Sequence, residues 1–181
     1  DGSVWWSPGD EINLFPQFYS SEYGYYTHPL KFVSTNKEAS PSTEFVYNGD
    51  DFREAEEYVA VFPYNSENIA FKSSHINVTI PTVQTAPCGS FDHKAFVSVA
   101  ISKDENLQFR NICGGVKFSV SQDGIKEVSF KNLNGYALSG LVYLNYDFKN
   151  DKNQPSGNTT FPEVIVRPEG STYFEVGKYY Y

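Results

Sequence analysis

Between Val116 and Leu144 apolar and polar positions alternate with a period of two. Val116, Phe118 and Val120 interleave with Lys117, Ser119 and Ser121, so one face of that segment is apolar and the other can meet water. Asp123-Gly124 then supplies the positive-φ positions of a tight reversal. Val128 and Phe130 repeat the pattern against Glu127, Ser129 and Lys131, and Asn134-Gly135 reverses the chain again into Leu138, Val142 and Leu144. The pattern predicts three successive strands paired as a meander, with these eight apolar side chains mostly buried. A sheet with one apolar face needs a second layer against it.

The same reading extends along the chain. Ile12 and Leu14 alternate with Glu11 and Asn13 in a first strand behind the Pro8-Gly9 break, expected at a sheet edge or removable. Further strands are predicted at Leu30–Val33, Thr43–Tyr47, Tyr58–Phe62, His75–Ile80, Val97–Ile101, Val164–Val166 and Tyr173–Val176. Asp50 can cap one helical turn over Phe52–Glu56, and Thr82–His93 reads as a connection. About eleven short strands with no internal repeat point to an all-β chain, a two-layer antiparallel β-sandwich forming one domain over 1–181. The chain reaches Tyr179-Tyr180-Tyr181 without a closing turn, which reads as the amino-terminal domain of a longer polypeptide.

Composition narrows the class. Aromatic residues make up 17%, and the 13 Gly and 10 Pro fall mostly between apolar runs, favouring strands and turns over helices. Methionine is absent, which reads as a mature or trimmed chain with any signal peptide or lipid-attachment cysteine upstream of Asp1. No run approaches the roughly 18 apolar residues of a membrane-spanning helix. The net charge of −8, with no basic stripe, argues against nucleic acid as a partner. Two cysteines, Cys88 and Cys113, admit two readings. A bridge would close a loop of about 25 residues, worth roughly 3–4 kcal/mol in the chain-entropy model; two separate buried thiols are the alternative.

Candidate chemistry is sparse. His28, His75 and His93 fall in a loop, on a polar strand face and in a connection, and no nucleophile elbow, metalloprotease helix or phosphate loop accompanies them. No catalysis, cofactor or metal is expected. Asp50, Asp51, Glu54, Glu56 and Glu57, and the loop carboxylates Asp147 and Asp151, offer oxygen ligands without calcium-loop spacing and read as solvated acidic faces. The cluster Trp5, Trp6, Tyr19, Tyr23, Tyr25 and Tyr26 has two readings, packing between sheets or an exposed platform for sugar rings.

Three stretches in order carry a family resemblance: Trp6-Ser7-Pro8-Gly9-Asp10-Glu11-Ile12; Tyr58-Val59-Ala60-Val61-Phe62-Pro63; and Phe109-Arg110-Asn111-Ile112-Cys113-Gly114-Gly115-Val116-Lys117-Phe118 with Ile125-Lys126-Glu127-Val128 and Ala137-Leu138-Ser139-Gly140. Together they resemble the amino-terminal domain of fimbrillin-like proteins of Bacteroidetes, over most of residues 5–146. The resemblance implies a transthyretin-like sandwich, exported as a lipoprotein to the outer-membrane surface and followed by a second sandwich domain. It also implies a structural or adhesive fimbrial subunit, whose partners are other subunits joined by strand complementation. The membrane would be reached only through an upstream lipid anchor. A surface glycan-binding lipoprotein domain is the alternative. Cys88 departs from the family pattern, whereas the Cys113-Gly114-Gly115 stretch fits it.

Overall fold

The computed structural model describes residues 5–18, 29–71, 75–147, 152–155 and 161–181. Among them there is no helix, and the chain is all-β, as the alternation predicts. The strands are β1 Glu11–Gln17, β2 Leu30–Ser34, β3 Phe45–Tyr47, β4 Glu57–Phe62, β5 Ile69–Phe71, β6 His75–Ile80, β7 Val83–Ala86 and β8 Ser98–Ser102. They continue with β9 Arg110–Asn111, β10 Phe118–Ser119, β11 Val128–Lys131, β12 Gly140–Asp147, β13 Lys152–Pro155, β14 Glu163–Pro168 and β15 Tyr179–Tyr180.

The main layer is a six-stranded antiparallel sheet in the order β3-β2-β1-β4-β8-β9. A four-stranded sheet, β13-β12-β6-β5, faces it. Phe15, Val59, Val61 and Val99 from the first sheet meet Ala70, Ile76, Val78 and Leu144 from the second in a buried cluster. The opposite face of the six-stranded sheet is also buried. There Ile12, Leu14, Tyr58, Ala60, Phe62 and Ala100 are covered by Trp6, Phe45, Leu107 and Phe109. All six residues of β4 are therefore buried, which is why its EYVAVF sequence shows no clean alternation.

Placing β1 between β2 and β4 corrects the expectation that the first strand lies at an edge. Residues 12–17 are all buried, and the strand contributes to both apolar clusters. Its backbone pairs on both flanks, where an edge would leave one row of N–H and C=O groups open, and the layers above and below the sheet cover both of its faces. Asn13, buried within this strand, is satisfied by the turn after β4. Its side chain donates to the Asn65 carbonyl at 3.0 Å and accepts from the Asn65 backbone N–H and the Asn68 side chain, at 3.0 and 2.7 Å. Odd-numbered residues of β1 direct their backbone groups to β4, since Gln17 O accepts from Glu56 and Glu11 O from Tyr64. The missing N–H of Pro16 therefore faces the β2 side, two residues past Leu14, where the pairing with β2 ends.

A third apolar cluster holds the remaining strands. The sheet β11-β14-β7 directs Val128, Phe130, Val164, Val166 and Ala86 towards the β10-β15 pair, where Val120 is buried and Phe118, Phe174 and Tyr180 pack in edge-on and tilted ring contacts. The solvent face of this sheet carries the ion pairs Arg167–Glu127 and Lys131–Glu163. β14 pairs with β7 in parallel, so the antiparallel expectation fails at this one ladder, and the stretch read as a connection contains a strand. The outer side of β7 is capped by Asp92, whose carboxylate accepts the Thr85 N–H at 2.8 Å.

The meander is also corrected. Its three segments are strands, and Gly124 and Gly135 take positive φ as the turns require, but β10 pairs with β15, β11 with β14 and β12 with β6. Alternation sets which face of a strand is apolar and leaves its partner open. Val116, expected in the core, is 57% exposed because it precedes β10 and has no strand beside it. Val120 and Leu144 are buried, and Phe118, Val128, Phe130, Leu138 and Val142 are half-buried against their clusters. Two further expectations fail. Residues 52–56 form no helical turn, and Tyr173–Val176 forms no strand, Phe174 being held instead by its N–H to the Ile125 carbonyl.

Candidate interaction surface

The aromatic residues singled out near the amino terminus separate in the structure. Trp6 is half-buried on the outer face of the six-stranded sheet, edge-on to Phe45, Phe62 and Phe109 with ring centroids 5.0, 5.2 and 4.9 Å away. Its backbone bridges to Ser40 in both directions, so Trp6 is a packing residue. Trp5, one residue earlier, is 52% exposed. Tyr19, Tyr23, Tyr25, Tyr26 and His28 lie outside the described residues.

Neither cysteine is bridged. Cys88 is exposed in the turn after β7, and Cys113 is half-buried beside the inter-sheet cluster. Burial raises the pKa of the Cys113 thiol, against a smaller opposing hydrogen bond from Val97. His75 and His93 are exposed and stand on different elements. Among the described residues no group of three or more His, Cys, Asp or Glu is placed to hold a metal. Gln17 and Glu57, register partners at one end of β1 and β4, each leave a buried side-chain oxygen without a hydrogen-bond partner among the described residues. Two oxygen acceptors fall far short of a hard-cation shell, which takes about six to eight.

What the sequence reading missed is a ledge of four rings. Phe32 on β2 stacks on Tyr47 of β3 at 5.3 Å; Phe52, from the loop between β3 and β4, lies edge-on to Phe32 at 5.7 Å and stacks on Tyr58 of β4 at 6.4 Å. The loop is pinned to this ledge at two points, Asp51 accepting the Tyr47 hydroxyl and Tyr58 Oη accepting the Ala55 N–H at 3.0 Å. Gly49 leaves room for the tip of Tyr47, which would have to shift to admit a Cβ there. Phe52 remains 41% exposed, with Asp50, Asp51, Glu54 and Glu56 exposed around it. The available signal was a lone aromatic inside an acidic run. The three rings it joins come from three other places in the chain, and spacing could not assemble them.

A second exposed aromatic group lies on the outer face of the β10-β15 pair. Lys117 Nζ sits 4.1 Å from the Tyr179 ring centroid and 5.5 Å from that of Tyr181. No family model matches this chain, and neither the curated proteins nor the solved structures contain a significant match.

Proposed function

We propose that this chain is a non-catalytic cell-surface subunit of fimbrillin type, structural or adhesive, exported to the outer membrane and assembling through strand complementation. A transthyretin-like sandwich carried by an upstream lipid anchor belongs to the same reading. The observation that supports it is the placement of β1. This strand precedes the rest of the fold, pairs with β2 and β4 on its two sides, and supplies Ile12 and Leu14 to one cluster and Phe15 to another. Its departure would leave a slot with strand edges on both flanks and apolar gaps on both faces. Only another strand of the same pattern can refill such a slot, so complementation here means insertion and not addition to an open edge. The test is to delete residues 1–17, refold the remainder with a labelled peptide spanning residues 5–18, and separately incubate that peptide with the intact protein. Rescue of folding together with slow uptake into the intact protein is expected. Rescue without uptake would make β1 fixed core and remove the exchange step.

The same strand also favours a second reading. A strand buried on both faces is what a permanent scaffold requires, and Trp5 and Phe52 are exposed rings on that scaffold. A surface glycan-binding domain would hold β1 permanently and use such rings to stack sugars. Glycan binding lost in Trp5→Ala or Phe52→Ala, with no peptide uptake, would select this reading over assembly.

A further inference from the structure

The sequence contains two Asn-Gly pairs, Asn48-Gly49 and Asn134-Gly135, and the fold treats them differently. Asparagine before glycine can react with its own backbone, because no side chain on the glycine shields the next amide nitrogen from the asparagine carboxamide. The reaction needs that nitrogen unencumbered and the local chain able to turn. Asn134-Gly135 is held on both counts. The Gly135 N–H donates to the Asn132 carbonyl at 3.2 Å, the Asn134 N–H to Asn132 Oδ1 at 2.9 Å, and the Asn132 N–H to the Pro162 carbonyl at 2.8 Å. Gly135 is also set at the positive φ of its turn. Asn48-Gly49 follows the three-residue edge strand β3, and both residues are exposed. Among the described residues neither the Asn48 carboxamide nor the Gly49 N–H has a hydrogen-bond partner. The Tyr47 tip lies over Gly49 on the side a Cβ would take and leaves its nitrogen unused.

We propose that Asn48 is a self-modification site, at which the folded chain deamidates while Asn134 is protected. The Gly49 nitrogen attacks Asn48 Cγ, the bond from Cγ to the side-chain nitrogen breaks, and ammonia leaves with the Gly49 proton. Water then opens the resulting cyclic imide at either carbonyl, giving aspartate or isoaspartate at position 48 with no change of oxidation state. Either product adds a negative charge beside Asp50 and Asp51. Isoaspartate also routes the main chain through the former side chain, lengthening the link between β3 and the loop that lays Phe52 on the ledge. That loop is pinned by Asp51 to Tyr47 and by the Ala55 N–H to Tyr58 Oη, so a longer link slackens it.

The experiment incubates the intact chain in mildly alkaline buffer made with heavy-oxygen water, then maps peptides by mass spectrometry with fragmentation that separates aspartate from isoaspartate. Heavy oxygen should enter position 48 about thirtyfold faster than position 134, the factor that two net hydrogen bonds supply. In guanidinium the two positions should react at comparable rates. Asn132→Ala, which removes the side-chain acceptor of the Asn134 N–H, should speed position 134 and leave position 48 unchanged. Near-ultraviolet dichroism reports whether that variant is folded, and the comparison of native with unfolded wild type stands without it. Hydrogen exchange at the Ala55 N–H should quicken in aged wild type and stay slow in Asn48→Asp, which carries the charge without the longer chain. Native labelling of position 134 as fast as position 48, or a difference between them that persists in guanidinium, would overturn the proposal. Unchanged Ala55 exchange in protein carrying isoaspartate would overturn the loosening of the loop.

Discussion

The centre of the six-stranded sheet and the outlying sheet β11-β14-β7 use similar strand residues in opposite ways. β4 and most of β1 are buried on both faces, between the inter-sheet cluster on one side and the layer around Trp6 on the other. β14 keeps Val164 and Val166 inside, and leaves Glu163 to pair with Lys131 of β11 and Arg167 with Glu127 just before it. The difference shows that alternation reports a wet face and is silent wherever a second layer removes the water. It also separates two kinds of robustness. The central strands rest on two cores at once, whereas the outlying strands rest on one core and a row of exposed ion pairs, each worth roughly 0–1 kcal/mol.

Four measurements would break or sharpen that comparison. The largest effect is expected for Phe15→Ala, a fully buried ring at the centre of the inter-sheet cluster, which should cost about 3–5 kcal/mol in urea unfolding. If it costs no more than Phe130→Ala, a half-buried ring of the outlying sheet expected to cost about 2 kcal/mol, the claimed difference between the regions disappears. Next, Trp6→Ala removes three edge-on ring contacts, each worth about 0.5–1.5 kcal/mol, while Trp5→Ala should stay within about 0.5 kcal/mol of wild type. Equal effects of the two would deny that the outer face of the central sheet is a real core.

Cysteine reactivity offers a smaller probe of the same contrast. In native protein at neutral pH, iodoacetamide should modify exposed Cys88 quickly and Cys113 slowly, and both should react at comparable rates after unfolding. Rapid native labelling of Cys113 would mean that the edge of the inter-sheet cluster opens readily. The smallest effect concerns Glu163, whose pKa lies below its ordinary value because it accepts the Ser129 hydroxyl, with Lys131 adding to the shift. Because the folded pKa is depressed, its contribution is present above the ordinary value of 4.5 and is lost as pH falls through the lower folded value. Stability measured over that acidic range should flatten in Glu163→Gln relative to wild type. An unchanged slope would assign the acid response to other carboxylates.

These contrasts also explain what could be read from the residues. β6, β11, β12 and β14 each have one face against a core and one towards solvent or a polar layer, so their period of two was visible, and Asp123-Gly124 and Asn134-Gly135 announced their turns. Pairing was not visible. Nothing in Phe118 or Ser119 names Tyr180 and Tyr179 as partners some sixty residues on, and a meander was the shortest guess. β7 was hidden because it is short, flanked by prolines and paired in parallel, with Val83 exposed. The ledge around Phe52 was illegible for a related reason, since Phe32, Tyr47 and Tyr58 meet it only after β2, β3 and β4 have taken their places.

Pro16 has a consequence for how the chain finds its alignment. In an antiparallel ladder a slip of two residues keeps every side chain on its proper face, so burial alone cannot reject it. Sliding β1 by two residues to extend its overlap with β2 would bring Pro16 into the paired stretch, where a carbonyl would face a ring nitrogen with nothing to donate. The residue therefore acts as a stop on a ruler: it makes one of two equally greasy alignments a hydrogen bond poorer, and any strand offered in place of β1 is measured against the same mark.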